Sequence, residues 1–172
     1  MDTEKVEKAR NGNVDEIGNL LMENMKSMYR VAFSILKTEE EISDAISNTT
    51  VIVFEKIHTL KNAEFFKTWL IRILINECNK IYKMKKYKRE DSYETVGSTL
   101  VSPDKTEEQI NFKFICDKLS EEDGTIILLY YMEKYTDKEI GEILNMKENT
   151  VRTKRNRIKN KIKKFYEEYG RI

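Results

Sequence analysis

A chain of 172 residues with 31 bases, 30 acids, one histidine and two cysteines has room for one domain or two small ones. One His with no CxxC pair gives no zinc ligand set, and Cys78 and Cys116 sit in helical apolar patterns as core thiols rather than as a disulfide. The charged first residues are not a secretory leader and no apolar run is long enough to span a bilayer, so the chain is expected to be cytoplasmic.

The net charge of +1 hides strong segregation. Residues 2–44 hold 10 acids and 6 bases, 80–89 hold 6 bases and no acid, 90–123 hold 10 acids and 3 bases, and 147–172 hold 10 bases and 3 acids. Two basic islands parted by an acidic segment predict two nucleic-acid contacts, with acidic surface kept off the phosphates.

In chain order, residues 3–10 read as a short helix closed by Asn11-Gly12. Asn13 caps a second helix whose apolar positions, from Ile17 to Leu36, recur at spacings of three and four. Thr38 with Glu41 forms a capping box that opens a third helix carrying Ile42, Ala45, Ile46, Thr49, Val53 and Ile57. The run TTVIVF at 49–54 is β-branched, but helical patterns on both sides and the absence of a turn signal predict helix. After a break at 58–64, Asn62 caps a helix with Phe65, Phe66, Trp69, Leu70, Ile73, Leu74 and Ile81 inward. Its polar face carries Lys67, Arg72, Asn76, Asn79, Lys80 and Lys83. Aromatics beside a basic, Asn-rich face suit unstacked bases and their phosphates, although Phe66 and Trp69 also match the inward stripe and fit a core role.

Residues 90–105 have no helical periodicity and contain the only proline, Pro103, and they read as an acidic flexible linker. Thr106 with Gln109 starts a helix, and Ser120 caps another with Ile126, Ile127, Leu129, Tyr130 and Met132. A second capping box, Thr136 with Glu139, then opens a helix striped by Ile140, Ile143 and Leu144. Gly141 on that face costs about 1 kcal/mol of propensity against Ala, which predicts a second helix crossing close. Asn145 stops the helix in a left-handed turn. The next helix buries Val151 and Ile158 and shows Arg152, Thr153, Arg155, Asn156, Arg157 and Lys159 to solvent. This is a helix-turn-helix with a basic second helix, the geometry that enters a DNA major groove. The fold class is therefore all-α: two small helical domains, 1–89 and 106–172, joined by a flexible linker at 90–105.

Four segments carry a family resemblance. MYRVAFSIL at 28–36 resembles an LYRLA-like segment. FFKTWLIRILINECNK at 65–80 resembles an F-x-T-W-L-x-R-I-x-x-N signature through Phe65, Thr68, Trp69, Leu70, Arg72, Ile73 and Asn76. Leu119 to Glu122 resembles L-P-E-E, with Ser120 for proline, and the helix-turn-helix ends in T-V-[RK]-[ST]-R-like residues at Thr150 to Lys154. On these motifs the chain resembles a bacterial extracytoplasmic-function sigma factor, a two-domain initiation subunit of RNA polymerase. It departs from the family's D-x-x-Q-E-x-F, having Asp44 followed by Ser47, Asn48 and Thr50. It also has Asn156 where an aromatic or leucine often precedes the last recognition-helix arginine.

The resemblance implies roles. Arg152, Thr153, Asn156 and Arg157 would meet base edges and nearby phosphates of a −35 duplex, while Lys154, Arg155 and Lys159 would neutralise phosphate. The loop Lys61, Asn62 and Ala63 would help hold an everted base of a single-stranded −10 element, Asn76 would hydrogen-bond, and Arg72, Lys80 and Lys83 would track the backbone. Glu41, Asp44, Asn48 and Ile52 would dock on core polymerase. The partners implied are core RNA polymerase, promoter DNA and an anti-sigma factor, often membrane-tethered, with no cofactor and no catalytic or metal site. A helix-turn-helix regulator acting without polymerase is the rival, but it needs neither the 65–76 signature nor a second basic island. An enzyme is disfavoured by the single His and by the lack of a Gly-rich phosphate loop or metal-spaced ligands.

Overall fold

A computed structural model describes residues 3–36, 38–90 and 119–169, which form helices and turns with no strand among the described residues. The chain divides into two units, Met1–Leu100 and Val101–Ile172.

The first unit contains α1 (Thr3–Arg10), α2 (Val14–Ile35), α3 (Glu39–Lys56) and α4 (Phe66–Glu90), with short 3-10 turns at Ile57–Thr59 and Ala63–Phe65. The predicted start signals act as expected. Asn13 Oδ1 accepts from the Glu16 N–H at 3.1 Å, and both halves of the Thr38–Glu41 capping box are formed. The β-branched run stays helical because its hydroxyls find acceptors one turn back: Thr49 donates to the Ala45 carbonyl at 2.7 Å and Thr50 to Ile46 at 2.9 Å. Thr49 and Val53 are also fully buried, so tertiary packing overrides strand propensity.

Helices α2, α3 and α4 pack on one another, and α1 lies against α2 and the two 3-10 turns. The core between them holds Leu20, Met28, Val31, Phe66, Leu70 and Leu74, each worth about 1.5–3 kcal/mol of burial. The inward stripe expected on α4 needs correction. Phe65 is 45% exposed, Ile73 and Ile81 are half-buried, and Ile71 and Ile75 are buried instead. Phe65 ends the 3-10 turn, so it is out of phase with α4. Because α4 touches both α2 and α3, its apolar face is wider than a single stripe. Cys78 is fully buried, and burial pushes its thiol up to about 12, as suits a core residue.

The second unit contains α5 (Glu121–Ile127), a π turn at Leu128–Met132, α6 (Asp137–Leu144) and α7 (Glu148–Tyr169). Ser120 Oγ accepts from the Asp123 N–H at 3.3 Å to start α5. Ile126, Ile127, Leu128 and Leu129 are buried. The π turn is closed by Glu133 N–H to the Leu128 carbonyl at 3.1 Å, a widening that no local sequence signal marks. The Thr136–Glu139 capping box is formed, and Asn145 adopts φ 56°, ψ 47° to end α6. Val151 and Ile158 are buried, with α7 packed on α5 and α6.

Gly141 is confined for a different reason from the one expected. A Cβ there would stand 2.6 Å from the Met146 carbonyl oxygen, so it is the backbone of the turn, not a crossing helix, that requires glycine. The linker beyond residue 90, the helix start at Thr106 and Cys116 lie outside the described residues.

Candidate nucleic-acid interface

Helix α7 carries all seven residues expected at duplex DNA. Thr153, Asn156 and Lys159 are exposed. Arg152, 52% exposed at its side chain, donates to Glu148 Oε1 at 2.6 Å, and its Nε lies 3.7 Å from Asp137. Arg157 reaches both Asp123 oxygens at 3.3 Å, and Lys154 pairs with Glu122. These contacts leave Arg152 and Arg157 solvated and able to exchange a carboxylate for a phosphate or a base edge.

Arg155 departs from the solvent-facing role expected of it. Its side chain is 16% exposed. It donates from Nε and Nη2 to the two Asp137 oxygens at 2.8 and 2.9 Å, and its guanidinium lies 4.2 Å from the centre of the Tyr130 ring. The Arg155 guanidinium holds the Asp137 carboxyl below the usual carboxylate range. The residue is a strut joining α7 to the start of α6 and to the π turn. No spacing rule links Asp137 or Tyr130 to Arg155 in the sequence, because the contact is made by the tertiary fold alone.

In the first unit, Arg72, Asn76, Lys80 and Lys83 are exposed along α4. An open cleft of 490 Å³ lies between the end of α3, at Ile52 and Lys56, and the middle of α4, at Trp69, Asn76, Lys80 and Lys83. The loop residues do not line it, although Thr59, two positions before Lys61, does. Lys61 is exposed, Asn62 spends its Oδ1 on the Glu64 N–H at 3.0 Å, and Ala63 is 4% exposed. Neither these three nor Arg72 lines the cleft. Glu77, which no motif in the sequence singles out, also lines the cleft and accepts from Lys80 Nζ at 2.6 Å.

On α3, Asp44 and Asn48 are exposed and Ile52 is half-buried. Glu41 is committed within the unit: besides the capping box it binds Lys85 Nζ at 2.5 Å. Two apolar side chains on the same helix were missed, Val51 at 56% and Phe54 at 41% exposure. Val51, seven residues after Asp44 and three after Asn48, shares their face, and Phe54, three further on, stands at its edge, a signal present in the sequence. No helix among the described residues is long and apolar enough to cross a membrane.

Comparison with known proteins agrees with this arrangement. The Sigma-70 region 2 family matches residues 20–88, and the Sigma-70, region 4 family matches residues 115–162. The RNA polymerase sigma factor SigV of Bacillus subtilis (strain 168) is 25% identical over 134 residues, covering 78% of this chain and 81% of the relative. Two solved structures share the fold, each at TM-score 0.74 and 18% identity. CnrH, solved with the cytosolic domain of CnrY, matches over 98% of this chain and 99% of its own. The sigma factor RpoE, solved with the anti-sigma factor NepR from Bartonella quintana, matches over 92% and 100%. The region 2 match spans the cleft-bearing helices α3 and α4, and the region 4 match spans the helix-turn-helix. The chain belongs to the sigma-70 family and is an RNA polymerase sigma factor of the extracytoplasmic-function type.

Proposed function

We propose that residues 106–172 read a −35 element as duplex, that residues 1–89 dock on core polymerase and read a −10 element as single strand, and that 90–105 link the two. The carrying observation is α7, which follows the left-handed Asn145 turn and exposes Arg152, Thr153, Asn156 and Arg157. An arginine held in two hydrogen bonds to guanine discriminates by about 1–3 kcal/mol. Lys154 and Lys159 position the helix on phosphates. On α4, Asn76, Lys80 and Lys83 serve the −10 strand at the cleft, with Arg72 and the Lys61–Ala63 loop alongside. Glu41, Asp44, Asn48 and Ile52 mark the helix that meets polymerase, and Val51 and Phe54 supply its apolar contacts.

Polymerase is needed on energetic grounds. Duplex stacking averages about 1.4 kcal/mol per base-pair step, so opening many steps outweighs what one captured base and a few phosphates return. The solved complex of RpoE with NepR supports an anti-sigma factor as a further partner here. A chain that serves polymerase acts in the cytoplasm.

The test is capture of bacterial core RNA polymerase by this chain, followed by in vitro transcription with the reconstituted holoenzyme. Capture with promoter-specific transcripts is the expected result. No capture, with specific duplex binding by the chain alone, would establish a regulator that works without polymerase.

A further inference from the structure

The α3–α4 cleft combines surfaces of opposite character. Its rim carries the exposed Lys56, Lys80 and Lys83, and its flanks carry the half-buried Ile52, Trp69 and Ile73. Lysines suit backbone phosphates and the apolar flanks suit the face of a ring. Glu77 breaks the pattern. It lines the same cleft with a side chain only 10% exposed, and Lys80, itself 65% exposed, holds its Oε1 at 2.6 Å.

A carboxylate at that depth works against phosphate, since like charges repel more strongly as water is excluded. It favours a neutral group that donates hydrogen bonds. A carboxylate has about four acceptor sites, so the Lys80 bond orients Glu77 without exhausting it. The cleft volume of 490 Å³ lies within the range of small-ligand sites, about 300–1,000 Å³.

We propose that this cleft captures an unstacked guanine and that Glu77 is the residue that selects it. The proposal rests on the single-strand reading above and adds the identity of the base. On its Watson–Crick edge guanine alone presents two adjacent donors, N1–H and N2–H, which match the two oxygens of a carboxylate. Adenine and cytosine offer one amine beside a bare ring nitrogen, and thymine offers one N–H between two carbonyls that a carboxylate repels. The lysine rim then takes the phosphates on either side of the base, and Trp69 meets its face.

The experiment uses holoenzyme reconstituted from the full chain and core polymerase, with fluorescent oligothymidylates of about nine nucleotides, within the length range of single-strand sites. Each oligonucleotide carries one central dT, dG, dA, dC or deoxyinosine, and affinity is read by anisotropy. The dG probe should bind about tenfold more tightly than dT. Deoxyinosine, which lacks the N2 amine, should lose most of that gain in the unaltered protein. Glu77→Gln, which keeps the shape but replaces one acceptor with a donor, should bring all five probes within about twofold. Binding by the unaltered protein with no preference for dG overturns the guanine assignment and leaves the single-strand reading standing. A dG preference that survives in Glu77→Gln overturns the role of Glu77. No binding of any probe overturns the single-strand reading together with the proposal.

Discussion

Asp137 and Arg155, the one opening α6 and the other on the second turn of α7, are joined by two hydrogen bonds of 2.8 and 2.9 Å, with the guanidinium 4.2 Å from the Tyr130 ring centre. The pair ties the two helices of the helix-turn-helix together, so on the proposed reading Arg155 acts on recognition through geometry. Arg155→Ala should destabilise the protein by about 1–3 kcal/mol and weaken duplex binding. The slope of log affinity against log salt should nevertheless stay unchanged, because no phosphate contact is lost. Lys159→Ala should leave the melting temperature alone and lower that slope by about 0.9. Titration of both variants across salt concentrations separates the strut from the phosphate contact.

The same pair has a pH signature. The Asp137 carboxyl is lowered from its ordinary 3.8, first by its hydrogen bond to Arg155. A carboxylate depressed in the folded state adds stability that is complete above its unfolded value and disappears as pH falls through the lower folded one. Asp137→Asn should therefore be less stable than the parent at neutral pH. The gap between them should close below about pH 4, as read by denaturant unfolding at stepped pH.

The turn between α6 and α7 tolerates little. Gly141→Ala would place a methyl 2.6 Å from the Met146 carbonyl oxygen and should cost about 1–3 kcal/mol. Asn145, at φ 56°, should accept glycine with little change, whereas Asn145→Val should cost about 1–2 kcal/mol. Thermal melts of the three variants check the order.

Val51 and Phe54 bury little within their own unit, at 56% and 41% exposure. Phe54→Ala and Val51→Ser should shift folding stability by no more than about 0.5 kcal/mol. If this face meets polymerase, each should weaken capture of the core enzyme by about tenfold, the effect of losing a modest interface anchor. Competition binding against the unaltered chain would measure it. Unchanged capture in the double variant would sink the assignment of this face.

Cys78 is a fully buried thiol raised to about 12 by desolvation. In a Cys116→Ser background it should resist thiol-modifying reagents at neutral pH until the protein unfolds. Because the folded pKa is raised, the stability linked to this thiol is complete below its ordinary 9.0 and falls as pH climbs beyond it. Reagent uptake followed against denaturant concentration should therefore track the unfolding curve.

Local rules in the sequence located most of the architecture. Asn13, Thr38, Ser120 and Thr136 start their helices through bonds to residues three positions on, and Asn145 stops one through its own backbone. Such signals span a few residues and can be read without a fold. The phase of α4 was harder, because it packs against two helices and its 3-10 entry shifts Phe65 out of register. The site divided in the same way. Exposure of Arg152, Thr153 and Asn156 follows from helical spacing. The capture of Arg155 by Asp137, and the place of Glu77 in a cleft built from two helices, depend on neighbours far away in the chain.

The π turn at Leu128–Met132 inserts one residue beyond what an α-helix would use, closing its ring from Glu133 back to Leu128. An α-helix advances by about 100° per residue, and this helix ends at Glu133, so the wide last turn sets where Tyr130, inside it, stands. Tyr130, the third residue of the turn, lies against the Arg155 guanidinium. Deleting one residue from this turn would keep the hydrophobic composition almost intact yet swing the ring around the barrel of the helix, leaving the arginine without its aromatic seat. On the proposed reading, the docking of the DNA-reading helix depends on a count of residues in a neighbouring helix as well as on the identity of any one of them.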